Sequence, residues 1–161
     1  MSRLRRILVA TDLSPAGNAA IKPAQSLAEA NQAKLWVCTV IPDLPITNEE
    51  MMMLRVNLDQ VRKYNQKKLD EARTKLERQI PAAKRTRSNI TFMVRDGKPA
   101  TEIIKLAEEL KADLIVLASQ SHHGFGELLL GSTTDRVVNK APCSVLVVRS
   151  HSKPLDSSKG K

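Results

Sequence analysis

A carboxylate, a run of small polar residues at a helix start and a pair of adjacent imidazoles are the groups in this sequence best suited to chemistry. Asp12 follows the apolar run Arg-Ile-Leu-Val-Ala, Arg6 to Ala10, and its two acceptor oxygens suit neighbouring hydroxyls on a ligand. An Asp in such a place also closes turns by accepting the backbone N–H two residues on, so both roles stand open. Gly131-Ser132-Thr133 opens a stretch of helical spacing within Gly131 to Asn139. Free N–H groups and the positive end of the helix dipole attract an anion there without any lysine. Ser121-His122-His123-Gly124 resembles a metal or catalytic element at first sight. Adjacent side chains point apart, however, and no Cys, Asp or Glu beside them completes a zinc set. The segment reads as a mobile polar loop over a crevice, hinged at Gly124 and Gly126, with His122 adding charge when protonated.

Other chemistries are excluded by what stands in their place. After the first apolar run comes Thr11-Asp12-Leu13-Ser14-Pro15, not the Ser-Gly-Gly of a pyrophosphatase-type loop, and no Gly-Lys-Ser or Gly-Lys-Thr of a P-loop occurs. A receiver domain needs an acidic pair after its first strand, where Asp12 stands alone, and the first helix has no histidine of the nucleotidylyl transferase type. With no nucleophile–base pair in view, the chain is expected not to be an enzyme. Cys38 and Cys143 sit in strand-like runs without a second Cys two residues away and read as reduced core residues.

The elements that must position these groups alternate along the chain. Arg6 to Ala10 and Lys34 to Ile41 read as strands, the second closed by Pro42-Asp43. Between them, Ser14 and Pro15 supply an N-cap and a first-turn proline, and Ile21, Ala24, Leu27 and Ala28 recur at helical spacing, with a kink expected at Pro23. Thr47 and Glu50 form a capping box for one long helix carrying Leu54, Leu58, Val61, Leu69, Ala72, Leu76 and Ile80 on its apolar face and stopping at Pro81. Met51-Met52-Met53 at its start is expected to touch the core. Asn89 to Val94 turns Ile90, Phe92 and Val94 inward as a third strand, and Asp96-Gly97 leads to a helix near Pro99 with Ile103, Ile104, Leu106, Ala107 and Leu110 on the sheet. Asp113 to Ala118 and Ser144 to Val148 are the fourth and fifth strands. The fold class is therefore α/β: a doubly wound, five-stranded, mostly parallel sheet with helices on both faces. Ligands of such sheets bind beyond the carboxyl ends of the strands, where the strand order reverses. That places Thr11-Asp12, Val40 and the residues from Ala118 to Thr133 at the site.

Composition limits the rest. The 161 residues suit one domain, 42% hydrophobic and 27% charged residues are ordinary for a globular chain, and no apolar run nears the ~20 residues that cross a bilayer. Met1 to Arg6 runs straight into a strand without the apolar stretch of a secretion signal, so a cytoplasmic location is expected. The formal charge of +9 is spread over the long amphipathic segment, Lys84 to Arg87 and the tail from Ser150 to Lys161, as on a solvated face. Aromatic residues are only 2%, so the stacking platform for single-stranded nucleic acid is missing and nucleic acid is not an expected partner.

Three segments together resemble the universal stress protein family: Ile7 to Ser14, Asp96-Gly97-Lys98-Pro99-Ala100, and Leu128 to Arg149 with its Leu-Leu-Leu-Gly-Ser, Asp135-Arg136-Val137-Val138 and Ala141-Pro142-Cys143-Ser144 runs. The resemblance implies a Rossmann-like fold of the adenine nucleotide alpha hydrolase type over residues 1–149, with a basic, disordered tail at 150–161. It implies ATP or AMP as ligand, Mg with it, and a cytoplasmic stress-response role with at most slow ATP hydrolysis. Val40 would read the base edge, Ala10 and Thr11 would line the base pocket, Asp12 would hold the ribose, and Gly131, Ser132, Thr133, Ser121 and His122 would meet phosphate. Two subunits would pair along the edge strand Ser144 to Val148. The nucleotide-binding members carry Gly, two residues, Gly, nine residues, then Gly and Ser or Thr; here Ala118 and Ser121 take the first two glycine positions. Their added Cβ atoms crowd a phosphate loop, which supports an alternative: a nucleotide-free homodimeric interaction module whose basic helix meets an acidic partner.

Overall fold

The runs Ile7 to Ala10, Leu35 to Cys38 and Leu114 to Leu117 are apolar at every position and fully buried, a pattern stable only where both faces of a sheet are covered. The computed structural model describes residues 3–43, 47–53, 55, 57–85, 89–119 and 130–150. These form β1 (Arg6–Ala10), β2 (Lys34–Ile41), β3 (Ile90–Asp96), β4 (Leu114–Ser119) and β5 (Ser144–Arg149). All described ladders are parallel, in the order β3-β2-β1-β4-β5. The helices are α1 (Pro15–Asn18), α2 (Ile21–Asn31), α3 (Asn48–Met53), α4 (Leu58–Arg78), α5 (Ala82–Arg85), α6 (Pro99–Leu110) and α7 (Ser132–Lys140).

Strand alternation deals the core into two layers. Ile7, Val9, Leu35, Val37, Leu114 and Val116 meet Ile21, Ala24 and Ala28 of α2 and Leu76 of α4 on one face. Leu8, Trp36, Cys38, Ile115 and Leu117 meet Ile103, Leu106 and Ala107 of α6 and Val137 of α7 on the other. Asp113 ties the amino ends of β1 and β4, its Oδ2 accepting the backbone N–H of Arg5 at 2.9 Å and of Arg6 at 2.8 Å. Cys38 and Cys143 are both free; burial pushes the Cys38 thiol up to about 12, so it stays protonated in the core, while Cys143 is half-buried.

Several elements differ from the sequence expectation, each for a local reason. The first helix is broken rather than kinked: α1 ends at Asn18 and α2 begins at Ile21, which puts Pro23 in the first turn of α2, where no N–H is needed. The long helix is two. Thr47 and Glu50 do form the capping box, with Thr47 N donating to Glu50 Oε2 at 2.8 Å and Glu50 N to Thr47 Oγ1 at 3.2 Å, but α3 stops at Met53. Arg55 turns into the left-handed region (φ 48°), and Asn57 caps a new helix by accepting Asp59 N at 2.9 Å. Met52 and Met53, expected in the core, are 82% and 86% exposed because this break carries α3 off the sheet. On α4, only Ala72 and Leu76 are buried, with Ile80 just beyond; Leu58, on the same helical stripe, is 61% exposed. Residues 54, 120–129 and 151–161 lie outside the described residues.

Candidate ligand-binding crevice

β1 lies mid-sheet, with β2 and β3 added on one side and β4 and β5 on the other, so the chain's winding reverses between β1 and β4. In a sheet wound this way, a crevice lies beyond the carboxyl ends of these two strands. A cavity of about 430 Å³ occupies it. Ala10, Thr11, Asp12, Val40, Ala118, Gly131, Ser132 and Thr133 all line it, drawn from segments far apart in sequence. Ser121 and His122 lie outside the described residues. The lining also includes Gly17, Thr39, Ile41, Pro42, Pro99, Ile103, Leu117 and Thr134, which sequence reasoning did not single out. A second depression, about 570 Å³, runs along α4 between Lys63 and Arg78; one helix forms its whole lining, so it has no opposing wall.

The loop after β1 is tightly wound by its own polar side chains. Thr11 N reaches Cys38 O at 3.0 Å, extending the sheet by one bond, and Thr11 Oγ1 donates to Asn18 Oδ1 at 2.7 Å while accepting Leu13 N at 3.0 Å. Leu13 takes a left-handed backbone (φ 65°), a costly conformation for a branched side chain and one that concentrates at functional loops. Asp12 Oδ1 accepts both Ser14 N at 2.9 Å and Ser14 Oγ at 2.5 Å, and Ser14 Oγ accepts Gly17 N at 3.0 Å as the cap of α1. The turn role of Asp12 is therefore real and engages one oxygen, and Oδ2 takes no part in it. Gly17 makes this possible: a Cβ there would lie 2.2 Å from Asp12 Oδ1. A glycine just inside a helix start, three residues after its cap, was the available signal.

On the neighbouring wall, the β1–β2 register ends at Ala10↔Cys38, so Val40, two residues further along β2, has no β1 residue registered against it. Its backbone edge on that side faces the crevice. Opposite, α7 begins at Ser132 with Gly131 as an N-cap that makes no side-chain hydrogen bond. The ladder starts with Asp135 N to Gly131 O at 2.9 Å, so the N–H groups of Ser132, Thr133 and Thr134 have no intrahelical partner. Gly131 has φ −62°, which any residue adopts, and a Cβ on it would meet nothing within 4 Å among the described residues.

Ala118 is less of an obstacle than its type implies. It belongs to β4, paired with Val148, and its methyl packs against the α2-side core, as Leu13 and Val148 do, on the face opposite α7. Strand alternation thus turns its Cβ away from the free N–H groups. Ala118→Gly is expected to change ligand affinity less than about threefold while lowering stability by roughly 0.5–1 kcal/mol, the usual cost of strand glycine. Paired titrations and melts of the two proteins check this, and a large affinity gain would show that the methyl does crowd the ligand.

Comparison with known proteins agrees with this architecture. The family model described as the universal stress protein family matches residues 3–149. Universal stress protein A homolog 1 of Coxiella burnetii is 33% identical over 146 residues, covering 89% of this chain and 95% of that protein. The solved structure of the Methanocaldococcus jannaschii protein MJ0577 superposes with a TM-score of 0.71 at 25% identity, covering 92% of this chain and 97% of that one. A universal stress protein solved in complex with cAMP superposes with a TM-score of 0.57 at 24% identity, covering 92% and 99%. With a doubly wound parallel sheet, the crevice at its switch point and a family match across nearly the whole length, the chain belongs to the universal stress protein family.

Proposed function

We propose that this protein binds an adenine nucleotide, ATP or AMP, in the crevice and acts as a regulatory stress-response factor in the cytoplasm rather than as a catalyst. The observation that carries the reading is convergence: a carboxylate oxygen at Asp12, an unpaired backbone edge at Val40 and the uncapped N-terminus of α7 surround one cavity. Asp12 Oδ2 would accept a ribose hydroxyl, Val40 would meet the base edge, with Ala10 and Thr11 behind it, and Gly131, Ser132 and Thr133 would hold phosphate. Mg²⁺ would accompany a triphosphate. The cAMP complex of a structural relative supports the ligand class. Calorimetry of the full chain with ATP, ADP and AMP is expected to give dissociation constants below about 1 mM for at least one of them. Silence with all three would reject the reading.

In the same reading, two copies pair along β5, an edge strand whose Leu146 is 37% exposed. Antiparallel pairing about a two-fold axis sets the middle of β5 against its own copy. Leu146→Arg, which opposes two like charges there, is expected to halve the mass seen by sedimentation equilibrium. A wild-type chain that already sediments as a monomer contradicts the pairing.

A further inference from the structure

We infer that the crevice selects a nucleoside monophosphate over the matching di- and triphosphate, an inference resting on the nucleotide reading above. The charge inventory of the cavity carries it. Among the described residues of the lining, Asp12 is the one charged side chain, and it is an acid. Residues 120–129, between β4 and α7 in sequence, contain neither lysine nor arginine; their ionisable groups are His122, His123 and Glu127. Lys98 adjoins the lining residue Pro99 in sequence, but it is exposed and does not line the cavity.

Positive potential in the described lining comes from backbone alone. The N-terminus of α7 offers about half an elementary charge and a few aligned N–H groups, enough to match one phosphate. Two other helices reach the crevice: α1 through Gly17, whose N–H is taken by Ser14 Oγ, and α6 through Pro99, which has no N–H to give, while Ala100 and Thr101 behind it do not line the cavity. Each further phosphate would leave water, where it is fully solvated, for a space whose described lining offers no matching cation and already holds a carboxylate. Asp12 cannot be neutralised by its neighbours in the turn either, since Ser14 supplies only neutral donors to its Oδ1. At about 430 Å³ the cavity is also toward the small end of ligand pockets.

The test is a calorimetric series of the full chain with AMP, ADP and ATP in EDTA at about pH 8, where an ordinary imidazole is neutral. AMP is expected to bind at least about tenfold more tightly than ATP, with ADP between them. Replacing EDTA by excess Mg²⁺, which offsets two of the triphosphate charges, is expected to narrow that gap. ATP binding as tightly as AMP in EDTA overturns the selectivity while leaving nucleotide binding intact. Absence of binding by all three overturns the nucleotide reading, and the selectivity with it.

Discussion

Replacing Gly17 with alanine is expected to weaken nucleotide binding at least about tenfold while leaving the fold in place. The general rule for a helix interior points the other way, because alanine is favoured over glycine by roughly 1 kcal/mol. Here the new Cβ would sit 2.2 Å from Asp12 Oδ1 and 3.1 Å from Asp12 N, so the carboxylate has to leave its place. Leaving it breaks the bonds from Ser14 N and Ser14 Oγ, and hydrogen bonds to a charged group are worth roughly 1.5–3 kcal/mol each. The freed carboxylate no longer lines the crevice in one orientation. Titration with the tightest nucleotide, beside a thermal melt, checks both parts. Unchanged affinity would mean that the position of Asp12 does not govern binding.

The second large effect concerns α4, whose apolar stripe is uniform in sequence and uneven in burial. Leu76 is completely buried in the core layer that α2 and α4 build on one face of the sheet, and Leu76→Ala is expected to cost roughly 2–5 kcal/mol, the range for an emptied leucine site. For a domain of this size that lowers the melting temperature by about 5–15 °C. Leu58→Ala, on the same stripe but 61% exposed, is expected to shift stability by less than about 0.5 kcal/mol. Equal losses from the two substitutions would show that the amino-terminal half of α4 packs on something in solution.

That contrast explains what the sequence could and could not convey. Strand positions were legible because continuous apolar runs have one use in a parallel sheet; β1 and β2 fall on the expected bounds, and β3, β4 and β5 end one or two residues later. The end of α4's burial was not legible, since periodicity records which face is apolar and not where the sheet beneath it stops. Met52 and Met53 were misplaced for the same reason: the left-handed turn at Arg55 and the cap at Asn57 are short-range polar effects that outweigh a long apolar period. At the crevice, Asp12, Val40 and Gly131 to Thr133 were legible as strand ends and a helix start. Pro99 and Ile103 were not, because their place in the lining depends on how helices cross the strand ends. The orientation of Ala118 followed from β4 running on to Ser119, which the strand assignment had stopped short of.

The mid-sheet place of β1 has a consequence during synthesis. Its first neighbour, β2, follows closely, but the bond from Arg6 to Asp113 that seats it beside β4 joins residues 107 apart. At ordinary translation rates that interval is roughly 5–20 s. For that time the earliest strand made leaves the ribosome with one flank bare, its unpaired peptide groups and apolar side chains open to other chains. Nascent molecules of this topology therefore need either crowd-free emergence or a holdase until β4 arrives, and the central strand is where co-translational aggregation of this protein would begin.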